Sequence, residues 1–324
     1  MNEKNRRKYP ILLAAAVLIP VTVYGYITET VQKNEKKLYS VVLYQDAENE
    51  WAMLEAGAEQ AKDDARIMIN YVHLDANNTT EDEILAIQRE EELGTSGVLV
   101  ACIEKEKMKE ELKKSNISVP MVFIESGAGE EYPVIRADDY QMGKTLGKKV
   151  LSEMLPEDGP VIILGERMDR DSMQSRYCGV TDALKASEEE IEIIDETGKK
   201  TEEIMDVVVE VLQSNGKAVT LDKYSTEQTA ALWEEYQSHS QRKKTRLQIY
   251  GIGNTAATVN DLDNENLAAL VYQNEFSMGY EGIMALTEKR KADWINENIH
   301  ISYNIVTKET LYDEEHARLL FPNS

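Results

Sequence analysis

From residue 40 onward, short β-branched apolar runs alternate with stretches of helical periodicity, and this alternation limits the fold more than any other feature. The run "SVVLY" (40–44) is followed by "WAMLEAGAEQAKDD", in which Trp51, Leu54, Ala58 and Ala61 share one helical face. The run "RIMINYVHL" (66–74) precedes "TTEDEILAIQREEEL", where Thr80 and Glu83 fit a capping box. The runs "GVLVACI", "VPMVFIE", "PVIRAD", "GPVIILGE", "IEIIDE", "KAVTLD" and "RLQIYGIG" continue the pattern. Near-continuous apolar strands separated by helices imply parallel sheets covered on both faces. The strands outnumber one comfortable sheet, so the expected fold is α/β, with two doubly wound parallel-sheet lobes. Ligands of such sheets bind beyond the carboxyl ends of the strands. That rule points to "LAALVYQNEFSMGYEGI" (267–283), where a strand-like run ends in Gln273 and Asn274 just before a helical pattern.

The 324 residues suffice for two domains with ample core. A formal net charge of -23 argues against nucleic acid and against an anionic membrane surface, since both would repel the chain. The four histidines have no ligand-like spacing, so no metal site is expected. Cys102 and Cys178 lie far apart in apolar sequence and read as buried free thiols.

The first residues suggest a compartment. After the basic "NEKNRRK", the uncharged run Tyr9–Thr28 is about as long as a helix needs to cross ~30 Å of hydrocarbon. Lys4, Arg6, Arg7 and Lys8 precede it, which places the N-terminus in the cytoplasm and the rest outside. The expectation is therefore a single-pass transmembrane anchor, with the binding domain extracytoplasmic at the cell membrane. A cleaved signal peptide ending near Val23 and Gly25 is the rival. No Cys follows the run to accept a lipid anchor.

No enzyme is expected and no cofactor. The segment "GIGNTA" (251–256) fits a dinucleotide fingerprint and follows a strand, but the helix after it turns acidic. No nucleophile elbow, P-loop or His-based dyad is apparent. A DNA-binding regulator would need a basic helix-turn-helix before residue 40, where the apolar run lies.

Several segments resemble, in order, the type I periplasmic binding proteins, the family of ribose- and galactose-binding proteins and lactose-repressor-like effector domains. They are "WAMLEAGAEQAK", "VPMVFIE", "ADDYQMGKTLGKKVL", "GPVIILGE", "SRYCGVTDALK", "IYGIGNT", "LAALVYQNEFSMGYEGIMAL" and "NIVTKETLYD", and the resemblance covers about residues 38–324. The resemblance implies a three-crossover hinge near Asp138, Asn274 and the strand around Ile301–Val306. After the anchor and tether (1–37), it divides the chain into an N-terminal lobe (38–138 plus 275–301) and a C-terminal lobe (139–274 plus 302–324). It also implies a small-molecule ligand, a carbohydrate in most members, enclosed by lobe closure. The partner would be the membrane permease of an ABC importer or, alternatively, a sensor such as a histidine kinase.

Candidate ligand-binding residues follow from strand ends and from the matched motifs. Tyr44 and Asp46 close the first strand run, and Trp51 stands where the family places an aromatic against the ligand. Glu125 matches a family Asp, but Ser126 follows it where ribose binders have Arg. Arg176 opens an Arg-x-x-Gly pattern, and its guanidinium could bridge neighbouring hydroxyls; a surface ion pair with Asp169 or Asp171 is the plainer alternative. Asp222 and Tyr224 follow "KAVT", and Gln273 matches a strand-end Gln near a crossover. Gly253 stands where sugar-binding members carry Asp, which disfavours a standard pentose or hexose unless Asn254 substitutes and leaves a modified sugar or a small non-sugar solute as alternatives.

Overall fold

The computed structural model describes residues 36–45, 50–75, 77–188, 190–239, 247–287 and 299–321. The run Tyr9–Thr28 and Asp46 lie outside these residues. Among the described residues no helix is long and apolar enough to cross a membrane.

The described strands form two six-stranded sheets. The first contains β1 (Leu38–Gln45), β2 (Met68–Asp75), β3 (Val98–Ala101), β4 (Met121–Ile124), β5 (Val134–Arg136) and β11 (Ile299–His300). Its order is β11-β5-β4-β3-β1-β2, parallel throughout. The second contains β6 (Val161–Leu164), β7 (Ile193–Asp195), β8 (Lys217–Thr220), β9 (Ile249–Ile252), β10 (Ala269–Gln273) and β12 (Tyr303–Val306). Its order is β12-β10-β9-β8-β6-β7, and only β12 runs antiparallel, against β10. Every residue of β3, β4, β6, β8, β9 and β10 is buried, as unbroken apolar runs between helical layers require. Edge strand β2 is mostly exposed or half-buried, which accounts for its polar Asn70 and His73.

The chain passes between the sheets three times: after β5 at Ala137 and Asp138, after β10 at Asn274, and between β11 and β12 at Ile301 and Ser302. The single run Ile301–Val306 is thus divided, because its first residues lie at the passage and only Tyr303–Val306 pair with β10. The three passages are hydrogen-bonded side by side. Ile301 N–H donates to the Arg136 carbonyl at 3.0 Å, and Asn274 N–H donates to the Ser302 carbonyl at 2.9 Å. Asp138 caps helix α4 (Asp139–Glu153) by accepting from the Gln141 amide at 3.0 Å. Asn274 caps α9 (Glu275–Leu286) in the same way, accepting from Ser277 at 3.0 Å. Short polar side chains occupy these two positions because both passages end by starting a helix.

Each lobe has one helix pair held unusually close by glycine. In lobe 1, α1 (Ala52–Ala65) packs on α9, and a Cβ at Gly279 would lie 1.9 Å from the Leu54 carbonyl oxygen. A Cβ at Gly57 would lie 1.9 Å from the Phe276 carbonyl oxygen. In lobe 2, α4 packs on α5 (Asp171–Lys185), where a Cβ at Gly143 or Gly179 would lie 2.0 Å from the carbonyl oxygen of Arg176 or Tyr140. Backbone cannot yield as a side-chain tip can, so any larger residue must push the helices apart.

Two local expectations are corrected. Thr79, not Thr80, caps α2 (Thr80–Glu92), in a reciprocal box with Asp82, which leaves Glu83 free to turn inward. Cys102 is buried, but Cys178 is exposed, because α5 turns its neighbours Gly179 and Val180 toward α4 and the core. Gly279→Ala and Gly179→Ala should each lower stability by about 1–3 kcal/mol or more, measured by urea unfolding. An unchanged midpoint would show that the helices separate freely.

Candidate functional site

The carboxyl ends of both sheets face one cleft, and charged side chains that neither lobe could bury alone meet there. At the end of β4, Glu125 adopts a left-handed backbone with φ of 59°, unusual for a side chain of this size, and is only 7 % exposed. Its carboxylate is held from three directions. Tyr44, in β1, donates its hydroxyl to Oε2 at 2.9 Å. Gln273, ending β10 in the other lobe, donates Nε2 to Oε1. Arg176 Nη2 lies 3.6 Å from Oε1. A strained conformation persists where its surroundings over-determine it, as here.

Arg176 sits in the second turn of α5 rather than at its start, and it is not on the surface. The close approach at Gly143 and Gly179 brings α4 beside it. Its Nε donates to Asp139 Oδ1 at 2.8 Å and its Nη1 to the Leu221 carbonyl at 3.2 Å. The alternative pairing with Asp169 or Asp171 does not form: Asp169 holds Arg167, and Asp171 holds Lys105 and Arg136 of lobe 1.

A second ion pair spans the lobes at the other crossover. Lys223, the first residue of α7 (Lys223–His239), lies 2.5 Å from Glu275 Oε1 and donates to the Glu50 carbonyl at 2.8 Å. Its ammonium also lies 5.0 Å from the centroid of the Trp51 ring. Trp51 is 2 % exposed, donates its indole N–H to the Tyr44 carbonyl and meets the Tyr44 ring edge-on at 5.1 Å. Arg170 crosses from lobe 2 to lie 3.6 Å from the centroid of the Tyr44 ring.

These neighbours set the charges. Burial pushes the Glu125 carboxyl up, but Arg176 and Lys223 outweigh it and hold the group below the usual carboxylate range. Burial likewise raises Asp139, and Arg176 only partly offsets it, leaving a value of about 6. Burial also opposes the charge on Lys223, yet Glu275, Glu50 and Glu125 raise it, so the ammonium stays protonated. Beside the site, fully buried Glu83 accepts the Ile103 amide at 3.1 Å, and burial lifts it to about 8.

Outside the ion pairs is a cavity of about 340 Å³ between the lobes. Glu50 and Asn77 of lobe 1 face Glu166, Glu202, Asp222 and Tyr224 of lobe 2 across it. Asp222 accepts from the Ser225 amide and hydroxyl at 2.7 and 2.9 Å, and the Tyr224 hydroxyl donates to Glu202 at 2.8 Å. Arg170 lines the cavity and touches Tyr44, so it joins the cavity to the buried network.

The fold therefore brings Tyr44, Trp51, Glu125, Arg176 and Gln273 into one buried cluster, and places Asp222 and Tyr224 in the adjoining cavity. Half-buried Asn254 belongs to neither. Asp139, Arg170, Lys223 and Glu275 were missed by sequence reasoning. Three of them had a readable signal: Asp139 and Glu275 directly follow the capping residues of two crossovers, and Lys223 follows Asp222. The "GIGNTA" segment builds no phosphate cradle. Thr255 caps its own helix and donates to the Glu227 carboxylate, a neighbour that would repel phosphate.

A cleft between two sheets joined by three chain passages, over buried polar groups, defines a two-lobed binding protein. The comparisons agree. Residues 40–292 match the periplasmic binding protein domain family, and the chain belongs to it. Among solved structures, a carbohydrate transporter solute-binding protein from Agrobacterium radiobacter, in complex with D-arabinose, is 17% identical. It superposes with a TM-score of 0.76 over 89% of this chain and 99% of that one. The sugar-binding protein of a sugar ABC transporter from Bacillus halodurans gives 0.69 at 17% identity, over 85% and 99%. XylFII in its complex with LytSN gives 0.68 at 17% identity, over 85% and 99%. No curated protein matches the chain in sequence.

Glu83 titrates higher in the folded protein than in the unfolded chain, so folding takes up a proton. Its contribution to stability is complete below about pH 4.5 and is lost as pH rises through about 8. Glu83→Gln should remove that part of the pH dependence, making the variant gain on the parent between pH 5 and 9 in urea unfolding. Parallel pH profiles would refute the assignment.

Proposed function

We propose that the chain is an extracytoplasmic solute-binding protein that closes its lobes on a small sugar and delivers it to an ABC-type importer. One observation supports this above the others. Two polar atoms deep in the cleft lack hydrogen-bond partners: Arg176 Nη2, a donor, and Gln273 Oε1, an acceptor, on side chains each 5 % exposed. Both side chains contact Glu125, so the two atoms belong to one cluster. A buried polar atom left unpaired is costly, and sugar hydroxyls both donate and accept, so they can serve a donor and an acceptor alike. Glu125, with two acceptor oxygens, can take a further hydroxyl, while Asp222, Tyr224 and Glu166 line the adjoining cavity. Family membership and the sugar-bound structural neighbours favour the same class of ligand.

The ligand-binding residues in this reading are Tyr44, Glu125, Arg176, Asp222, Tyr224 and Gln273. The hinge is the set of three passages, dividing residues 38–138 and 275–301 from 139–274 and 302–324. Tyr9–Thr28 serves as an uncleaved membrane anchor, which would keep the domain beside its permease and raise its local concentration there. Crosslinking in cells that captured a kinase instead of a permease would move the protein to signalling.

A thermal-shift screen against pentoses and hexoses should find at least one that raises the melting temperature. Gln273→Leu should then weaken binding of that sugar by ~10–100-fold, the loss of one or two hydrogen bonds to a charged, buried cluster. No response to any pentose or hexose would rule this function out, and full affinity in Gln273→Leu would remove Gln273 from the site.

A further inference from the structure

Lys223 is the wrong charge for its position as a helix residue. A cation at the first position of α7 faces the positive end of the helix dipole, and burial at 7 % exposure adds a desolvation penalty. The groups that touch its ammonium lie in the other lobe. The Glu275 carboxylate, the Glu50 carbonyl and the Trp51 ring face enclose its ammonium from three sides. Glu275 is itself 2 % exposed and its Oε2 has no hydrogen-bond partner, so beside the N-terminus of α9 the positive charge it meets is this ammonium. Carboxylate, carbonyl and aromatic face together are the chemistry that recognises a primary ammonium.

We propose that Lys223 is a specificity-determining residue: its ammonium is the built-in occupant of a primary-ammonium subsite on lobe 1, and it withholds the Trp51 ring from the ligand. As a statement about ligand choice, this rests on the cleft being the solute site proposed above. With Lys223 over its ring and Tyr44 packed against it in a T-shaped pair, Trp51 is 2 % exposed and offers no platform to a sugar ring. The ligand is left to the neighbouring cavity, where Tyr224 is the aromatic residue in the lining. This revises the expectation that Trp51 meets the ligand.

The test needs no sugar. Lys223→Ala in the full chain empties the subsite, and n-butylammonium chloride replaces the missing ammonium and its stem. The variant should melt below the parent, and butylammonium should raise its melting temperature beyond sodium chloride at equal ionic strength. Neither the parent nor a Lys223→Ala/Glu275→Gln double variant should respond. Should Lys223→Ala fail to fold, Glu275→Gln supplies the second reading. Acrylamide quenching of Trp51, taken as the difference from a Trp51→Phe variant of the same protein, should increase when the ion pair is weakened. A folded Lys223→Ala indifferent to the amine overturns the proposal, as does unchanged Trp51 quenching in Glu275→Gln. Either failure leaves the sugar reading standing, and a sugar screen without hits leaves the amine response intact.

Discussion

A guanidinium removed from water must be surrounded by acceptors or it destabilises the fold, and Arg176 is the group on which this cleft depends. Asp139 supplies the nearest charge, the Leu221 carbonyl a neutral acceptor, and Glu125 a second carboxylate from the opposite lobe. Removing one partner of such a cluster typically costs about 3–5 kcal/mol, because the remaining charge is buried without compensation. Glu125 is in turn positioned by Tyr44 and Gln273, one from each sheet. The cluster thus records lobe closure: its members satisfy each other only when the two sheets stand as they do here.

The glycine-packed helices explain how those charges reach one another. With Gly143 and Gly179 allowing α4 and α5 to touch backbone to backbone, Asp139 comes beside Arg176. Gly57 and Gly279 do the same for α1 and α9, bringing Glu275 toward the turn that carries Glu50 and Trp51. The two crossovers are near-copies in chemistry. Each has a capping Asp or Asn followed by a buried carboxylate that meets a lobe-2 cation, Asp138–Asp139 with Arg176 and Asn274–Glu275 with Lys223. They differ in one respect. The first pair lies within lobe 2, whereas the second crosses the cleft, so only the second resists opening.

The contacts that cross the cleft have a thermodynamic consequence. Cross-cleft contacts from Arg170, Lys223, Arg136 and Lys105 favour the closed state on their own. A ligand shifts the balance only by what it adds beyond them. Partnerless atoms at Arg176 and Gln273 are where such an addition is available.

Strand positions were legible because β-branched runs bounded by turn residues have little alternative to a buried sheet. Glu125, Gln273 and Tyr44 were legible too, as polar residues ending such runs on the side where parallel sheets bind ligands. The pairing of Lys223 with Glu275 was not, since each reads as an ordinary charged residue at a helix start and the two lie 52 residues apart across two lobes (275 − 223). Cys178 and the Thr79 cap were misjudged by a single helical position, which turns a side chain by about 100° and so exchanges inside for outside. Local periodicity therefore determined the class of fold and the side of each sheet that faces the cleft, because both depend on near neighbours in the chain. Which cation meets which carboxylate was decided only in three dimensions, because desolvation and Coulomb energy depend on distance through space and not along the sequence.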